Sequence, residues 1–411
     1  MREGSATPHH VGLDIGTSHV RCVIGARDAD EPNAISVIGH GVSPNHGMRK
    51  GVIMHVDDTV EAIVQAVTEA ERISGIRIDR ATVNVNGVHV TGMNSRGTIA
   101  ISGPNREITA EDRDRVEEAA AIVKLPANRE ILQVFAKNYR LDGQDNLKDP
   151  VGMHGVRLEV DCHILTASTP NVRNLDLALE KAQVRAQHHT VSSLAAAEAV
   201  LDRQQKEAGA AVIDIGAGTT NLAVIEDGEI QHVAVIPMGG THITNDLAIG
   251  LKTDLDVAEQ VKLKHVHIGD QTDKTYRIIV DGTGHTFEQA ETNMIVEART
   301  EELFEYVDKE LQKIHRSRKL PGGVVIVGGS AALPGLAEFA KEQLQLPARI
   351  GKIRGLAGLV DTVDDPAFAA ATGLMLLDIL LAPFVHDQVS STQLFSSNLS
   401  GVGKLLKKIK F

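Results

Sequence analysis

Two stretches, two hundred residues apart, carry the same order of apolar and polar positions. VGLDIGTSHVRCVIG (Val11 to Gly25) and VIDIGAGTTNLAVIEDGEI (Val212 to Ile230) each read as an apolar run, Asp-Ile-Gly, a short turn of small residues and a second apolar run. The pattern predicts a β-hairpin with glycines where the backbone turns sharply. Its repetition predicts an internal duplication, and so two related α/β halves facing each other across a cleft.

Strands and helices alternate through both halves. In the first, TVEAIVQAVTEAERISG has the spacing of an amphipathic helix and ATVNVNG that of a strand. The cadence changes from Val88 to Val160: a two-stranded stretch (VHVTGMNSRGTIAIS), a charged helix (TAEDRDRVEEAAAIV) and further strand-like pieces form an inserted α+β subdomain. CHILTAS then resumes the buried strands of the first half, and NVRNLDLALEKAQV is its next helix. In the second half GGTHITNDLAIGL, DVAEQVKLKH and ETNMIVEARTEELFEYVDKELQKI are helical, with a hairpin (TYRIIVDGTGHTFE) before the last. VVIVGGSAALPGL is a buried strand breaking at Gly-Gly into a helix. AAATGLMLLDILLAPF is interrupted by Asp378 and ends at Pro383, too short to span a bilayer, and reads as a buried helix. The chain thus divides into a first half (1–87 and 161–192), the insertion (88–160), a second half (193–240 and 316–385) carrying a helical subdomain (241–315), a serine-rich linker (386–400) and a terminal helix (401–411).

That terminal segment, GVGKLLKKIKF, is amphipathic at ~100° per residue. Val402, Leu405, Leu406 and Ile409 share a face, Lys404, Lys407 and Lys408 lie opposite with Lys410 at the edge, and Phe411 falls off the apolar side. Periodicity alone fits a helix docked on its own domain as well as one lying on a membrane.

Composition narrows the classes. The 411 residues carry 42 basic against 54 acidic side chains, net −12, and only 3% aromatics with no Trp, which argues against a nucleic-acid binder built on stacking platforms and basic grooves. A length of 411 exceeds what one core supports. Cys22 and Cys162 sit in apolar runs as buried reduced thiols without metal-ligand spacing. The opening MREGSATPHH has no apolar signal core. No HExxH is present, and His9, His10, His188 and His189 are expected on the surface.

Two facing Asp-Ile-Gly hairpins suit a phosphate. Backbone N–H groups in tight glycine turns converge into an anion nest, with Gly16, Thr17 and Ser18 on one side and Gly216, Ala217, Gly218, Thr219 and Thr220 on the other. Asp14 and Asp214 would repel a bare phosphate and make sense around Mg²⁺, reached through its waters. Gly328-Gly329-Ser330, at the carboxyl end of a buried strand, leaves room for a flat adenosine. Gly239 and Gly240 belong to the same group, and Glu259 and Lys262, one turn apart, either reach ribose or base or form a surface ion pair.

These parts together resemble the actin-like ATPase superfamily, and more closely the FtsA family, the bacterial cell-division proteins that tether FtsZ filaments to the membrane. The likeness runs through VGLDIGTSHVRCVIG, GMRKGVIMHVDDTVEAI, NREITAEDRDRV, KDPVGMHGVRLEVDCHILTAS, AAVIDIGAGTTNLAVI, GGTHITNDLA, AEQVKLKHV, RTEELFEYVDKEL and IVGGSAALPGLAEFA, with PVGMHGVRLEV and the terminal helix its least generic parts. It implies duplicated ribonuclease-H-like halves around an ATP and Mg²⁺ cleft, an SHS2-like insertion that receives late division proteins, and assembly into filaments. It implies that the FtsZ tail docks on 241–315 through Arg299 and Glu302, and that the terminal helix, on its serine-rich leash, binds anionic lipids. The place implied is peripheral, on the cytoplasmic face of the inner membrane at the septum. Two departures stand out. Ser193-Leu194 occupies the place where such ATPases often carry a carboxylate or amide to orient water, which implies slow or absent hydrolysis, and Ala136 replaces a frequent proline. A PilM-type pilus ATPase shares the fold but has no use for the terminal helix. A small-molecule kinase would need a general base beside the γ-phosphate, and none stands out.

Overall fold

A computed structural model describes residues 9–27, 34–103, 105–269, 272 and 274–382; the expected linker and terminal helix lie outside these described residues. The first hairpin forms as read: β1 (His9–Ile15) and β2 (His19–Arg27) pair antiparallel, followed by β3 (Ile35–Pro44). A small hairpin, β4 (Met48–Arg49) and β5 (Val52–Ile53), leads into helix α1 (Val56–Ser74). The buried residues of α1, Thr59, Ala62, Ile63, Ala66, Val67 and Ala70, recur at three- and four-residue steps, and Gly75 in the left-handed conformation ends it. β6 (Arg80–Asn84) then runs parallel to β1.

The insertion is a four-stranded sheet, β7 (Thr91–Ala100), β8 (Arg129–Leu141), β9 (Gln144–Leu147) and β10 (Arg157–Ser168), in the order β7-β10-β8-β9. It is backed by α2 (Ala110–Ala121), whose start Thr109 and Asp112 close with a capping box. Two expectations change here. VHVTGMNSRGTIAIS supplies one strand, β7, whose partner is β10 and not a neighbouring hairpin arm. CHILTAS belongs to the insertion: it is the second half of β10, paired to β7 and β8 as far as Ser168, and its continuous burial comes from lying at the centre of that sheet.

After α3 (Thr169–Lys181), β11 (Arg185–Thr190) completes one edge of the first sheet, and α4 (Ser192–Val200) and α5 (Arg203–Ala208) cross to the second half. There β12 (Ala210–Ile215), β13 (Thr220–Glu226) and β14 (Glu229–Ile236) repeat the meander, and α6 (Gly240–Gly250), α7 (Leu255–His265), the hairpin β15 (Thr275–Val280) and β16 (Thr283–Glu288), and α8 (Gln289–Lys313) form the helical subdomain. β17 (Val324–Val327), α9 (Leu336–Leu344), β18 (Ala348–Ile350), β19 (Leu356–Gly358), α10 (Val360–Val363) and α11 (Ala369–Leu381) follow. The sheets read β11-β6-β1-β2-β3-β19 and β14-β13-β12-β17-β18, so the duplication holds strand for strand except for β19. Assigning all of 316–385 to the second half is therefore corrected. β19 pairs with β3, and α11 packs on the first sheet, because local periodicity says that a helix is buried and not which sheet covers it.

Asp378, the charge that interrupts the apolar α11, is buried and bonded to His10 Nδ1 (2.9 Å) and Thr82 Oγ1 (2.7 Å). His10 is therefore not a surface residue, and His188 and His189 are half-buried in β11 instead of lying in a turn. Cys22 and Cys162 are free and buried as expected.

The insertion leans on the outer strand of the second sheet. His163 on β10 accepts the Val233 N–H at Nε2 (3.2 Å) and shares a 2.8 Å hydrogen bond with Asn94 through Nδ1, while Lys137 donates to the Gln231 carbonyl (3.1 Å) and Lys148 to that of Asp227 (2.7 Å). Burial above all, then His232 and Lys137, push the His163 imidazole down to about 3, so it stays a neutral acceptor.

Helices α4 and α11 cross at backbone contact: a Cβ on Gly373 would lie 1.7 Å from the Ala195 carbonyl oxygen. Gly373→Val is expected to destabilise the protein by about 3 kcal/mol or more, seen as a lower urea midpoint. An unchanged midpoint would mean that the helices do not cross this closely.

Candidate functional site

The two turns match at the level of single hydrogen bonds. Asp14 lies opposite Arg21 and Gly16 N–H donates to the His19 carbonyl (3.0 Å); Asp214 lies opposite Asn221 and Gly216 N–H donates to that of Thr219 (2.9 Å). Each aspartate ends a central strand beside a parallel neighbour, β6 or β17, and the two turns meet. The space a Cβ would take on Gly218 is bounded by Thr17 Cγ2 (3.1 Å) and by the backbone of Lys50 (3.0 Å).

Asp14 and Asp214 are both buried. Burial lifts the Asp14 carboxyl to about 7; Arg21 opposes this, the Asp214 charge adds to it, and the Asn84 amide, which donates to Asp14, holds it back. Asp214 is likewise raised by burial, against the Ser192 hydroxyl (2.5 Å), the Asn221 amide (3.4 Å) and Arg21. Two buried carboxylates that resist ionising together mark a place short of positive charge. Asn221 Oδ1 and Ser193 Oγ, both buried, have no hydrogen-bond partner. A hydrated divalent cation fits Asp14, Asp214 and the Oδ1 of Asn221, since oxygen ligands and unsatisfied acceptors are what Mg²⁺ and its waters take up. Among the described residues no group of three or more His, Cys, Asp or Glu surrounds a metal position.

The glycine segments converge from the second half. Gly240 and Thr241 N–H donate to the Gly216 and Ala217 carbonyls (2.9 and 2.8 Å), and Gly239 opens α6. Gly328 takes φ +88°, which favours glycine, and a Cβ there would lie 2.6 Å from Asp214 Oδ1. Gly329 borders open space, and Ser330 Oγ lies 2.6 Å from the Cβ position of Gly240. Lys262 Nζ bonds Glu259 (2.7 Å), Thr244 Oγ1 (2.9 Å) and the Gly240 carbonyl (3.4 Å), so Glu259 and Lys262 are an ion pair built into the wall of this site.

Some expected residues have other work. Thr220 donates to the Met238 carbonyl (2.9 Å), fixing the strand beside the site. Ser18 Oγ bonds His19 Nδ1 (2.7 Å), and Thr17 Oγ1 accepts the Gly51 N–H (3.0 Å). Arg299 is engaged within the chain: its guanidinium grips Asp246 of α6 and bonds Glu302. Glu198, off the site, pairs with Lys206 (2.6 Å). The residues missed from sequence are Asn84, Asn221, Ser192 and Asn45, whose amide donates to the Gly16 carbonyl (2.8 Å). Asn221 was readable as the strand partner seven residues after Asp214; the others meet the site only through tertiary contacts.

Duplicated sheets that bring two aspartate turns together define an actin-like ATPase fold. Solved structures share it: a PilM-PilN type IV pilus biogenesis complex (TM-score 0.65, 17% identity, 91% of this chain and 99% of that one) and MreB5 of Spiroplasma citri bound to ADP (0.52, 14%, 90% and 96%). Residues 211–373 match the family "Cell division protein FtsA", and 87–166 match "SHS2 domain inserted in FTSA". Cell division protein FtsA of Bacillus subtilis is 38% identical over 371 residues (89% of this chain, 82% of the relative), and that of Pseudomonas aeruginosa 34% over 371 (89% and 88%). The chain belongs to the FtsA family of cell-division proteins; PilM is a relative in fold.

Raising the Asp14 pKa from 3.8 to about 7 means that the folded state holds a proton the unfolded state has lost. That contribution to stability is complete below the unfolded value and is lost as pH rises through the folded one. Asp14→Asn should therefore stabilise the nucleotide-free protein by a few kcal/mol near pH 8, the gain shrinking toward pH 4. Urea titrations across this range check it; a gain independent of pH would assign the effect to something other than the proton.

Proposed function

We propose that this cell-division protein binds MgATP between its two hairpin turns and assembles into filaments on the cytoplasmic face of the inner membrane at the septum. There it tethers FtsZ filaments and receives later division proteins through its insertion. The observation that carries the nucleotide reading is the pair of buried aspartates, both lifted by burial, with the unpartnered Oδ1 of Asn221, whose amide bonds Asp214, beside them. The ADP bound to MreB5, a relative in fold, supports it.

The chain's residues then divide the work. The Gly16 and Gly216 turns bring backbone close to the phosphates, Asp14 and Asp214 hold the waters of Mg²⁺, and Gly328, Gly329 and Ser330 with the Glu259–Lys262 pair border the nucleoside. Mg²⁺, when bound, supplies the charge that lets both carboxylates ionise. Hydrolysis is slow or absent: Ser193 offers no acid or amide to orient water, and Glu198 is tied to Lys206. Gly216→Asp places a negative charge where phosphate belongs and should lower affinity for fluorescent MgATP by about a hundredfold or more. Equal binding by variant and wild type would move the nucleotide elsewhere.

The FtsZ tail docks on the subdomain of α6 to α8, where a tail carboxylate competes with Asp246 for the Arg299 fork beside Glu302. No described helix is long and apolar enough to cross a membrane. The amphipathic pattern of the terminal segment supports attachment there. Its four lysines, Lys404, Lys407, Lys408 and Lys410, contribute roughly 1 kcal/mol each at an anionic surface before screening, and its aliphatic face adds a few more at interfacial depth. A single helix binds reversibly, and a filament displaying many binds firmly. Leu406→Glu should release the protein from anionic vesicles in a sedimentation assay while MgATP binding is retained; co-sedimentation equal to wild type would rule this helix out as the anchor.

A further inference from the structure

The segment from Asn45 to Ile53 lies over the first turn as a strap. Asn45 holds it at one end, its N–H donating to the Ser18 carbonyl (2.8 Å), its amide to that of Gly16 (2.8 Å), and its Oδ1 accepting the Gly47 N–H (3.0 Å). At the other end Gly51 N–H reaches Thr17 Oγ1 (3.0 Å). Between these anchors the β4–β5 hairpin turns at Lys50 and Gly51, both in the left-handed region at φ +50° and +72°. For lysine that conformation is uncommon and persists where surrounding contacts fix it.

The tip of the strap reaches the other half. The Lys50 backbone borders the empty Cβ position of Gly218 at 3.0 and 3.1 Å, so even a methyl on Gly218 would require the strap to give by a few tenths of an ångström. The Lys50 charge reaches further still. It acts on His242, in the first turn of α6 behind Gly239, whose imidazole is held low chiefly by burial and then by Lys50 and Arg299.

Three other cations near the cleft are engaged within the chain, and Arg49, beside Lys50 on the strap, is exposed. Lys262 is paired with Glu259, Arg299 with Asp246 and Glu302, and Arg21 stacks on Phe368 at 5.7 Å. Lys50 is exposed and makes no hydrogen bond or ion pair among the described residues. A triphosphate entering beside two carboxylates needs a further cation, and Lys50 is free and lies on a rigid support between both phosphate turns.

We propose that Lys50 is a nucleotide-discriminating residue, whose ammonium contacts the terminal phosphate of MgATP from the strap and thereby favours ATP over ADP. This rests on the reading that MgATP binds between the turns. Because the strap is bonded to the first half and touches the second, the same contact draws the halves together when the terminal phosphate is present.

Calorimetric titration of the full chain with MgATP and with MgADP tests this. Lys50→Gln should weaken MgATP by about tenfold or more and MgADP by less than about threefold. Arg49→Gln removes the same charge one residue away and should change neither by more than about threefold. Equal losses for both nucleotides, no loss, or the same loss in Arg49→Gln would each overturn the assignment. Wild-type protein that bound MgADP and MgATP alike would overturn it too, while leaving the nucleotide site standing. Wild-type protein that bound neither would remove the site itself, and the role of Lys50 with it.

Discussion

Ser192 joins the two halves at the point where their sites must agree. Its N–H donates to Asn86 Oδ1 just beyond β6 of the first half, and its hydroxyl donates to Asp214 near the end of β12 of the second. It also starts α4, a helix rich in alanine and buried along nearly its whole length. Small side chains let α4 lie against α11 at backbone contact, so the first sheet, α11, α4 and the second sheet stack without slack. The alanines of α4 and Gly373 of α11 thus let the two sheets that carry Asp14 and Asp214 approach through a thin pair of helices.

That rigidity explains how the cleft can hold two carboxylates where burial works against their charge. A looser site would relax by admitting water or turning a side chain outward. Here Asp14 is fixed by Asn84 and Asp214 by Ser192 and Asn221, all from neighbouring strands or the α4 start. The energetic cost sits in the protein before any ligand arrives, and a cation that relieves it binds more firmly for that reason.

What was legible in the sequence was what short-range geometry decides. A tight Asp-Ile-Gly turn determines its own hydrogen bonds, so both hairpins and their mirrored aspartates appear in the structure as read. Long periodic helices such as α1 and α8 were equally plain. The partner of a segment was not. CHILTAS and α11 are buried on nearly every side because they are central, and nothing in their periodicity distinguishes one sheet from another. Polar side chains misled in the same way: His10 looks exposed in a polar leader until Asp378, far along the chain, meets it, and Arg299 looks available until Asp246 closes on its fork.

The insertion also has a consequence for the outer strand of the second sheet. β14 is an edge, with outward amide and carbonyl groups that would accept another strand. His163 takes the Val233 N–H, and Lys137 takes the Gln231 carbonyl, two residues apart on the outward side of that strand. Side chains of the insertion therefore occupy ladder positions that an intruding β-segment would need. The subdomain acts as a guard on an otherwise templating edge, and a chain that lost its hold there would expose a strand prone to unplanned β-pairing, a route to aggregation separate from any ordered polymer.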